Sequence, residues 1–211
     1  MSKILEIGTA IESGKVKLIE GLVQEALDAG EEPNAILDEG MVAAMANIGI
    51  KFQSNEIFVP EMLVAAKTMK KGVEILRPHL KSGSLGKLGK YIIGTVAGDL
   101  HDIGKNLVAL MIEAAGFEII DLGVDVPPEK FVDALNDNPD CKIVGASALL
   151  TTTMEALKNT VEAIHTGGYK GKVKIMVGGA PVTQDFADQI GADAYTPDAG
   201  SAAKVAVDLV S

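Results

Sequence analysis

The sequence predicts an α/β protein in two parts: an N-terminal helical bundle, then an open, five-stranded, parallel, doubly wound sheet of the Rossmann or flavodoxin-like kind. Apolar residues recur at helical spacing through residues 1–81, and short apolar strands alternate with helical runs over residues 90–211. Between the two parts, residues 82–89 are rich in Ser and Gly and show no periodicity. This composition is typical of a linker, so the sequence predicts two domains.

The first part is predicted to hold about four helices with short connections. Its two clearest helical runs are Ile36, Leu37, Met41, Met45, Ile48 and Phe52, and then Met62, Leu63, Ala66, Met69, Val73, Leu76 and Leu80. Gly14, Gly30 with Pro33, and the segment QSNEIFVP interrupt the helical pattern. Helices of this length with short connections favour a small bundle.

The second part is predicted to be built of βα units. The strands are KYIIGTV, FEIIDLG, KIVGASA, VKIMVGG and ADAYT, and helices begin near Lys105, Pro128, Thr153, Thr183 and Gly200. Alternation at this spacing predicts a mainly parallel sheet. Ligands of such sheets bind outside the carboxyl ends of the strands, so the loops that follow the strands are the candidate binding edge.

Composition excludes several function classes. The chain has 211 residues, a net charge of −10 and a single cysteine, Cys141. We find no basic patch or run of the kind that nucleic-acid or anionic-membrane binding needs. One cysteine excludes an internal disulfide framework and fits a reducing compartment. The N-terminus does not resemble a signal peptide and no apolar run is long enough to span a bilayer, so we expect a cytoplasmic protein.

Polar residues, glycines and one histidine follow the predicted strands. The four loops are GDLHDIGKN (98–106), SALLTTT (147–153), GGAPVT (178–183) and TPDAGSAA (196–203). The loops at the opposite ends of the strands resemble ordinary surface turns. This asymmetry predicts a binding edge.

Several common chemistries do not fit the GDLHDIGKN loop. A P-loop is excluded because five residues, rather than four, separate Gly98 from Gly104, and Asn106 stands where a hydroxyl should bind magnesium. The glycine spacing also fails to give a dinucleotide fingerprint. A zinc site needs three or four ligands, and no second ligand is predicted to converge on His101. Ser147 does not lie in G-x-S-x-G, which disfavours a serine hydrolase.

What remains is a histidine used alone, with an acid two residues before it. One imidazole nitrogen of His101 can bind a metal that brings its other ligands with it. The other nitrogen can donate to Asp99, which fixes the tautomer. A metal held in a macrocycle needs only axial ligands from the protein.

Here the sequence resembles a known family. DLHDIG matches the D-x-H-x-x-G motif of cobalamin-binding proteins, SAL resembles the family's S-x-L, and VGG resembles its G-G, in the same order and spacing. MANIGIKFQSNEIFVPEMLVAAKTMKKG closely resembles the helical cap that precedes the cobalamin domain of methionine synthase. It is equally similar to the small corrinoid proteins of methylotrophic and O-demethylase methyltransferase systems. The resemblance covers essentially the whole chain.

The resemblance implies a role for each matching residue. His101 would be the lower axial ligand of cobalt, and Asp99 would hold its ring. Thr153 would bond Asp99 where the family has a serine. The implied cofactor contacts are Gly98, Asp99, Leu100, His101, Asp102, Ile103, Gly104, Ser147, Leu149, Thr151, Gly178, Gly179 and Ala199, with Phe58 and Met62 of the cap over the upper face. On packing grounds alone, methionines such as Met62 favour core positions.

The implied function is methyl transport on a cobalamin or related corrinoid. Co(I) would accept a methyl group from a donor on a partner methyltransferase, and methyl-Co(III) would pass it to a second methyltransferase, with tetrahydrofolate or a thiol as acceptor. A reductive activating protein is also expected, while nucleic acid and membranes are not expected as partners. Alone, the chain would be a carrier: the corrinoid component of a methylamine, methanol, betaine or aromatic methyl-ether system. The segment 81–90 would be the hinge that lets the cap move.

Two other function classes stay open. An adenosylcobalamin mutase subunit shares D-x-H-x-x-G, although a cap over the upper face suits methyl better than adenosyl. A cobalamin sensor is the other class, but such proteins usually add a DNA-binding or signalling domain for which the chain has no room. The identity of the bound upper ligand separates the carrier from the mutase subunit.

Overall fold

A computed structural model describes residues 2–80 and 86–211. The chain divides into two compact units, formed mainly by residues 1–87 and 88–211. The first is helical and the second contains a five-stranded parallel sheet, so the predicted fold class is confirmed. Residues 82–85 of the predicted linker, together with Lys81 of the predicted hinge, lie outside the described residues. The domain limit at residue 81 stays a prediction.

The described residues of the helical unit form four helices. Helix α1 is Lys3–Glu12 and α2 is Ile19–Asp28. Helix α3 runs through residues 33–53, with a π-helical segment at Ile36–Val42 inside it. Helix α4 is Val59–Leu76, and its first turn is stabilised by Glu61, which accepts a hydrogen bond from the backbone N–H of Phe58 at 3.1 Å. The core of this unit includes Ile7, Ile11, Ile19, Val23, Ile36, Met41, Met45, Ile48, Met62 and Leu76.

The α/β unit has its strands in the order β2-β1-β3-β4-β5, and all neighbouring strands are parallel. The strands are β1 Lys90–Thr95, β2 Glu118–Asp121, β3 Cys141–Ser147, β4 Lys174–Gly178 and β5 Ala194–Tyr195. The helices are α5 Ile103–Ala114, α6 Pro128–Asp137, α7 Met154–Ile164, α8 Gln184–Ile190 and α9 Ala199–Val210. This is the flavodoxin-like strand order, whose ligands bind where β1 and β3 diverge.

A continuous apolar core joins one face of the sheet to helices α6, α7 and α8. Its members include Ile92, Val144, Ile175, Phe131, Leu135, Leu157, Val161 and Ala187. Gly94 on β1 is required by this packing, because a Cβ there would lie 2.8 Å from the ring of Phe131.

The strand register sets the binding edge. Thr95, the last residue of β1, pairs with Ser147 at the end of β3, and Ser147 pairs with Gly178 at the end of β4. The loops that carry the predicted site residues therefore begin side by side. Within residues 2–80 and 86–211, no helix is long and apolar enough to cross a membrane.

Candidate functional site

His101 and Asp99 form a close pair in the loop between β1 and α5. Nδ1 of the His101 ring lies 2.6 Å from Oδ1 of Asp99, and the His101 backbone N–H donates to the same oxygen at 3.1 Å. The Asp99 side chain is fully buried, whereas half of the His101 side chain is exposed. A carboxylate can only accept, so Nδ1 carries the proton. The other ring nitrogen, Nε2, is thereby left with a lone pair for a ligand.

The second carboxylate oxygen of Asp99 is held by the loop after β3. It accepts from the backbone N–H of Leu149 at 2.7 Å, from that of Leu150 at 3.3 Å, and from the hydroxyl of Thr153 at 2.8 Å. Burial alone would raise the pKa of Asp99, but these bonds and those from His101 hold the pKa well below its usual range. The group is therefore a fixed negative charge at neutral pH.

The structure thus joins the first two predicted motifs through one buried carboxylate. It brings together His101, Asp99 and Thr153, which the resemblance implies are the cobalt ligand, the acid that holds its ring and the hydroxyl bonded to that acid. Threonine makes the bond to Asp99 that the resemblance assigned to serine in related proteins. Leu149 contributes its backbone N–H to this network, while its side chain is exposed.

Two residues of the network were missed in the sequence. The hydroxyl of Thr95, which is buried at the end of β1, donates to the carbonyl of His101 at 2.9 Å and lies 3.0 Å from the hydroxyl of Ser147. Asp125, after β2, accepts from the backbone N–H of Gly98 at 2.7 Å. A hydroxyl at the last position of β1 was the available signal for Thr95.

Exposed apolar side chains lie on the same edge of the sheet as His101. In the described α/β unit, the large hydrophobic residues that are exposed are Leu100, Ile103, Leu149 and Leu150, with 72%, 77%, 43% and 39% of their surface accessible. Leu100, Leu149 and Leu150 lie on the loops after β1 and β3, and Ile103 is the first residue of α5. Exposed apolar side chains on the same edge as a half-exposed imidazole indicate a large, partly apolar ligand.

The third predicted motif has a packing role of its own. Gly179 has φ +128°, and a Cβ there would overlap the carbonyl oxygen of Ala148. A Cβ on Gly178 would lie 3.3 Å from the carbonyl oxygen of Thr196. Both glycines therefore let neighbouring loops approach closely. That Gly178 and Gly179 also contact the cofactor stays a prediction.

The other predicted contacts lie on the same edge but outside the hydrogen-bond network. Thr151 is exposed in a short 3₁₀ turn before α7. Ala199 is buried at the first position of α9, whose N-cap, Asp198, accepts from the N–H of Ser201 at 2.8 Å. Asp102 and Gly104 are exposed at the start of α5.

In the helical unit, the two predicted cofactor contacts differ sharply. Phe58 precedes α4 and has 63% of its surface exposed, whereas Met62 is fully buried in the core of this unit. Leu63 and Val64, on the neighbouring positions of α4, are 44% and 42% exposed. Phe58 is therefore accessible on the surface of the helical unit, whereas Met62 is enclosed because its side chain fills the bundle. A contact of Phe58 with the cofactor stays a prediction.

The residues fit a corrinoid better than a bare metal ion. Among residues 2–80 and 86–211, no group of three or more His, Cys, Asp or Glu side chains could hold a metal ion. A corrin macrocycle supplies the equatorial ligands of its own metal and needs one axial nitrogen. His101 offers such a nitrogen, oriented by Asp99, on an edge that also carries exposed apolar side chains.

Comparison with known proteins decides the family. A B12 binding domain matches residues 89–207, and a second B12 binding domain model matches residues 5–77. The chain belongs to the corrinoid proteins. Its cofactor is cobalamin or a related corrinoid, and the family expected from the sequence is confirmed.

Curated relatives of this corrinoid protein come from methylamine systems. The chain is 39% identical over 205 residues to dimethylamine corrinoid protein 3 of Methanosarcina acetivorans, covering 97% of this chain and 95% of that protein. It is 46% identical over 181 residues to trimethylamine corrinoid protein 2 of the same species, covering 84% and 82%.

Solved structures share the fold of this corrinoid protein. The methanol:cobalamin methyltransferase complex MtaBC from Methanosarcina barkeri matches with a TM-score of 0.86 and 29% identity, over 99% of this chain and 79% of that one. A cobalamin-binding protein from Desulfitobacterium hafniense matches with a TM-score of 0.83 and 30% identity, over 99% and 98%.

Proposed function

We propose that this corrinoid protein is a methyl carrier that works between methyltransferases. The observation that carries the proposal is the pairing of His101 Nδ1 with the buried Asp99 carboxylate at 2.6 Å. This pairing leaves one imidazole nitrogen as a single, oriented ligand. When bound, the cobalt of the corrinoid supplies the centre that accepts and then donates the methyl group.

The chain's own residues would bind the corrinoid and orient the histidine that holds it. His101 would hold the cobalt through its free ring nitrogen, and Asp99 fixes the ring and increases its basicity as a ligand. Thr153 and the N–H of Leu149 keep the Asp99 carboxylate in place at 2.8 and 2.7 Å. The exposed side chains of Leu100 and Ile103 would contact apolar parts of the cofactor and exclude water there.

A carrier of this kind needs partners that hold the methyl donor and the methyl acceptor. A substrate-specific methyltransferase would hold the donor, and a second methyltransferase would present tetrahydrofolate or a thiol as the acceptor. A reductive activating protein would restore the cofactor after oxidation. The dimethylamine and trimethylamine relatives favour a methylated amine as the first donor to test.

The cofactor and its ligand are tested together. Wild type, His101→Ala and His79→Ala are incubated with hydroxocobalamin and desalted, and the cobalt per chain and the visible spectrum are measured. His79 is the matched control because it is an exposed histidine of the helical unit. We expect one cobalt and a histidine-ligated spectrum in wild type and His79→Ala, and a base-off spectrum in His101→Ala. A histidine-ligated spectrum in His101→Ala would contradict the assignment.

The carrier role is tested by methyl loading. The reduced, cobalamin-loaded protein is treated with radiolabelled methyl iodide in the dark and desalted. We expect about one light-releasable methyl group per cobalt. Firm cobalamin binding without methylation would overturn the carrier role and favour a sensor. A carrier should lose its function when the methyl group is replaced by an adenosyl upper ligand, whereas a mutase subunit should not. This replacement therefore separates the two classes.

A further inference from the structure

Asp125 lies in the loop that joins β2 to α6 and contacts the loop that carries His101. Its carboxylate Oδ1 accepts from the backbone N–H of Gly98 at 2.7 Å, and its own N–H donates to the carbonyl of Asp99 at 2.9 Å. These two hydrogen bonds hold both ends of the Gly98–Asp99 dipeptide in place. They fix the backbone of the residue whose carboxylate orients the histidine.

The backbone of Asp125 is itself unusual. Among the described residues, only Asn55 and Asp125 are non-glycine residues with positive φ, at +59° and +52°. Asp and Asn tolerate this left-handed conformation because their short side chains bond nearby backbone groups. Here the bond reaches another loop, so the strained conformation serves a contact between loops.

The neighbouring bonds show that the two loops form one braced unit. The Thr95 N–H donates to the carbonyl of Gly123 at 2.9 Å, and the Val126 N–H donates to the carbonyl of Thr95 at 2.9 Å. Val96 and Val126 form an isolated parallel bridge. Asp125 lies between these ladder bonds and is the member of the loop that contributes a side chain to the His101 loop.

We propose that Asp125 is a positioning residue for the axial ligand: by gripping the Gly98 N–H and the Asp99 carbonyl, it holds Asp99 where its carboxylate accepts from His101 Nδ1. The carboxylate of Asp125 is exposed and fills no core space, so packing does not explain it. The inference rests on the proposed function in that His101 is the ligand.

Three substitutions separate the side-chain bond from backbone strain. Asp125→Asn keeps an oxygen acceptor and tolerates positive φ. Asp125→Gly keeps the conformation but removes the acceptor, and Asp125→Ala removes both. Asn55→Ala is the matched control, since it introduces the same backbone strain in the helical unit at φ +59°.

The first measurement is made on the full chain loaded with cobalamin. Electron paramagnetic resonance of the Co(II) form reports nitrogen coupling from an axial histidine. We expect Asp125→Gly and Asp125→Ala to lose about tenfold in the ratio of histidine-on to histidine-off cofactor, because the hydrogen bond from the Gly98 N–H to the side-chain oxygen is lost. Asp125→Asn should retain the wild-type ratio, and Asn55→Ala should lower stability without changing it. An unchanged ratio in Asp125→Gly would overturn the proposal.

A second measurement does not depend on the cofactor. Long-range ¹⁵N–¹H NMR of the cobalamin-free chain at mildly alkaline pH reports which ring nitrogen of His101 carries the proton. We expect a fixed Nδ1–H form in wild type and Asp125→Asn, and a mixture of tautomers in Asp125→Gly. If the wild type lacks a histidine-ligated spectrum, His101 is not the cobalt ligand and the proposed function is contradicted. The NMR measurement still decides the role of Asp125. A fixed Nδ1–H form in Asp125→Gly would contradict that role.

Discussion

The carboxylate of Asp99 accepts from five donors, and the shortest of these contacts, 2.6 Å, joins it to the ring of His101. The side chain has no exposed surface. Asp99 is therefore a structural centre of the loop pair as well as the orienting group of the histidine. Its acceptor-only chemistry suits this position, because every group that faces it is a donor.

Asp99→Asn is predicted to destabilise the protein by about 3 kcal/mol, because the new NH₂ group would face donors in a buried site. Asp102→Asn is the matched control, since Asp102 belongs to the same motif but is exposed and accepts from Asn106 at 3.1 Å. We expect it to cost no more than about 0.5 kcal/mol. Urea unfolding of the cobalamin-free variants measures both. Equal losses would contradict the central role of Asp99.

Thr153 allows the hydroxyl to be separated from the shape of the side chain. It is buried, and its hydroxyl contacts both Asp99 Oδ2 at 2.8 Å and the carbonyl of Leu150 at 2.9 Å. Thr153→Val keeps the shape and is predicted to cost about 1–2 kcal/mol of unfolding free energy. Thr153→Ser keeps the hydroxyl and should cost less. A more costly Thr153→Ser in urea unfolding would show that packing, not the bond, stabilises this position.

Gly179 tests whether the GG motif is needed by the chain itself. Gly179→Ala places a Cβ onto the carbonyl of Ala148 at φ +128°, so we expect a loss of more than about 3 kcal/mol. Gly168→Ala is the control: its φ is +88°, but no atom lies within 4 Å of the added Cβ. It should cost only the backbone strain, about 1–2 kcal/mol. Similar melting temperatures for the two variants would contradict a steric requirement at Gly179.

Much of this architecture could be predicted from the sequence. All five strands overlap the segments from which they were predicted. The central strands β1, β3 and β4 are mostly buried, and buried parallel strands are continuous apolar runs. The loop motifs converge because Thr95, Ser147 and Gly178 end adjacent strands in register. The pairing of Asp99 with His101 was predictable from their spacing, and its extension to Thr153 from the family resemblance.

The remaining contacts depend on pairing that no local pattern encodes. Asp125 reaches Gly98 only because β2 lies beside β1. Its left-handed backbone could not be recognised in the sequence, because the residue there is an aspartate and not a glycine. Helix α4 is apolar on more than one face, so the helical spacing could not decide that Met62 is buried while Leu63 stays exposed, and only the general preference of methionine for cores favoured this outcome. Both outcomes are set by tertiary packing.

Tyr91 predicts how stability changes at alkaline pH. Its ring is buried, and its hydroxyl has the thioether of Met176 as a weak partner at 3.7 Å. Burial, and to a smaller degree Cys141, raises the pKa of Tyr91 well above its ordinary 10.0. The folded state therefore keeps a proton that the unfolded chain releases above about pH 10. Stability should fall with rising pH there, by up to about 1.4 kcal/mol per pH unit.

Tyr91→Phe removes this proton and keeps the ring. We expect its unfolding free energy at neutral pH to lie within about 1 kcal/mol of wild type, because the lost hydroxyl was weakly bonded. Above pH 10 it should lose stability less steeply than wild type. Urea unfolding across this pH range measures the difference, and identical alkaline slopes would show that Tyr91 does not contribute.

Lys105 and Asp121 form an ion pair whose two ends differ in exposure. The Nζ of Lys105, in the first turn of α5, lies 2.5 Å from a carboxylate oxygen of Asp121 at the end of β2. The lysine side chain is 2% exposed and the aspartate side chain 40%. Removing one partner from a buried pair leaves the other charge uncompensated, and that penalty is large only where the remaining charge is buried.

The two single substitutions should therefore differ. Asp121→Asn leaves the buried ammonium without its counter-charge and is predicted to cost about 3 kcal/mol. Lys105→Met fills the same space and leaves a carboxylate that water can solvate, so it should cost no more than about 1 kcal/mol. The double variant should match Lys105→Met, because Asp121 has no buried charge left to compensate. Urea unfolding of the four proteins gives the coupling energy. If Lys105→Met proves the costlier change, the stem of the lysine, rather than its charge, holds α5 against the end of β2.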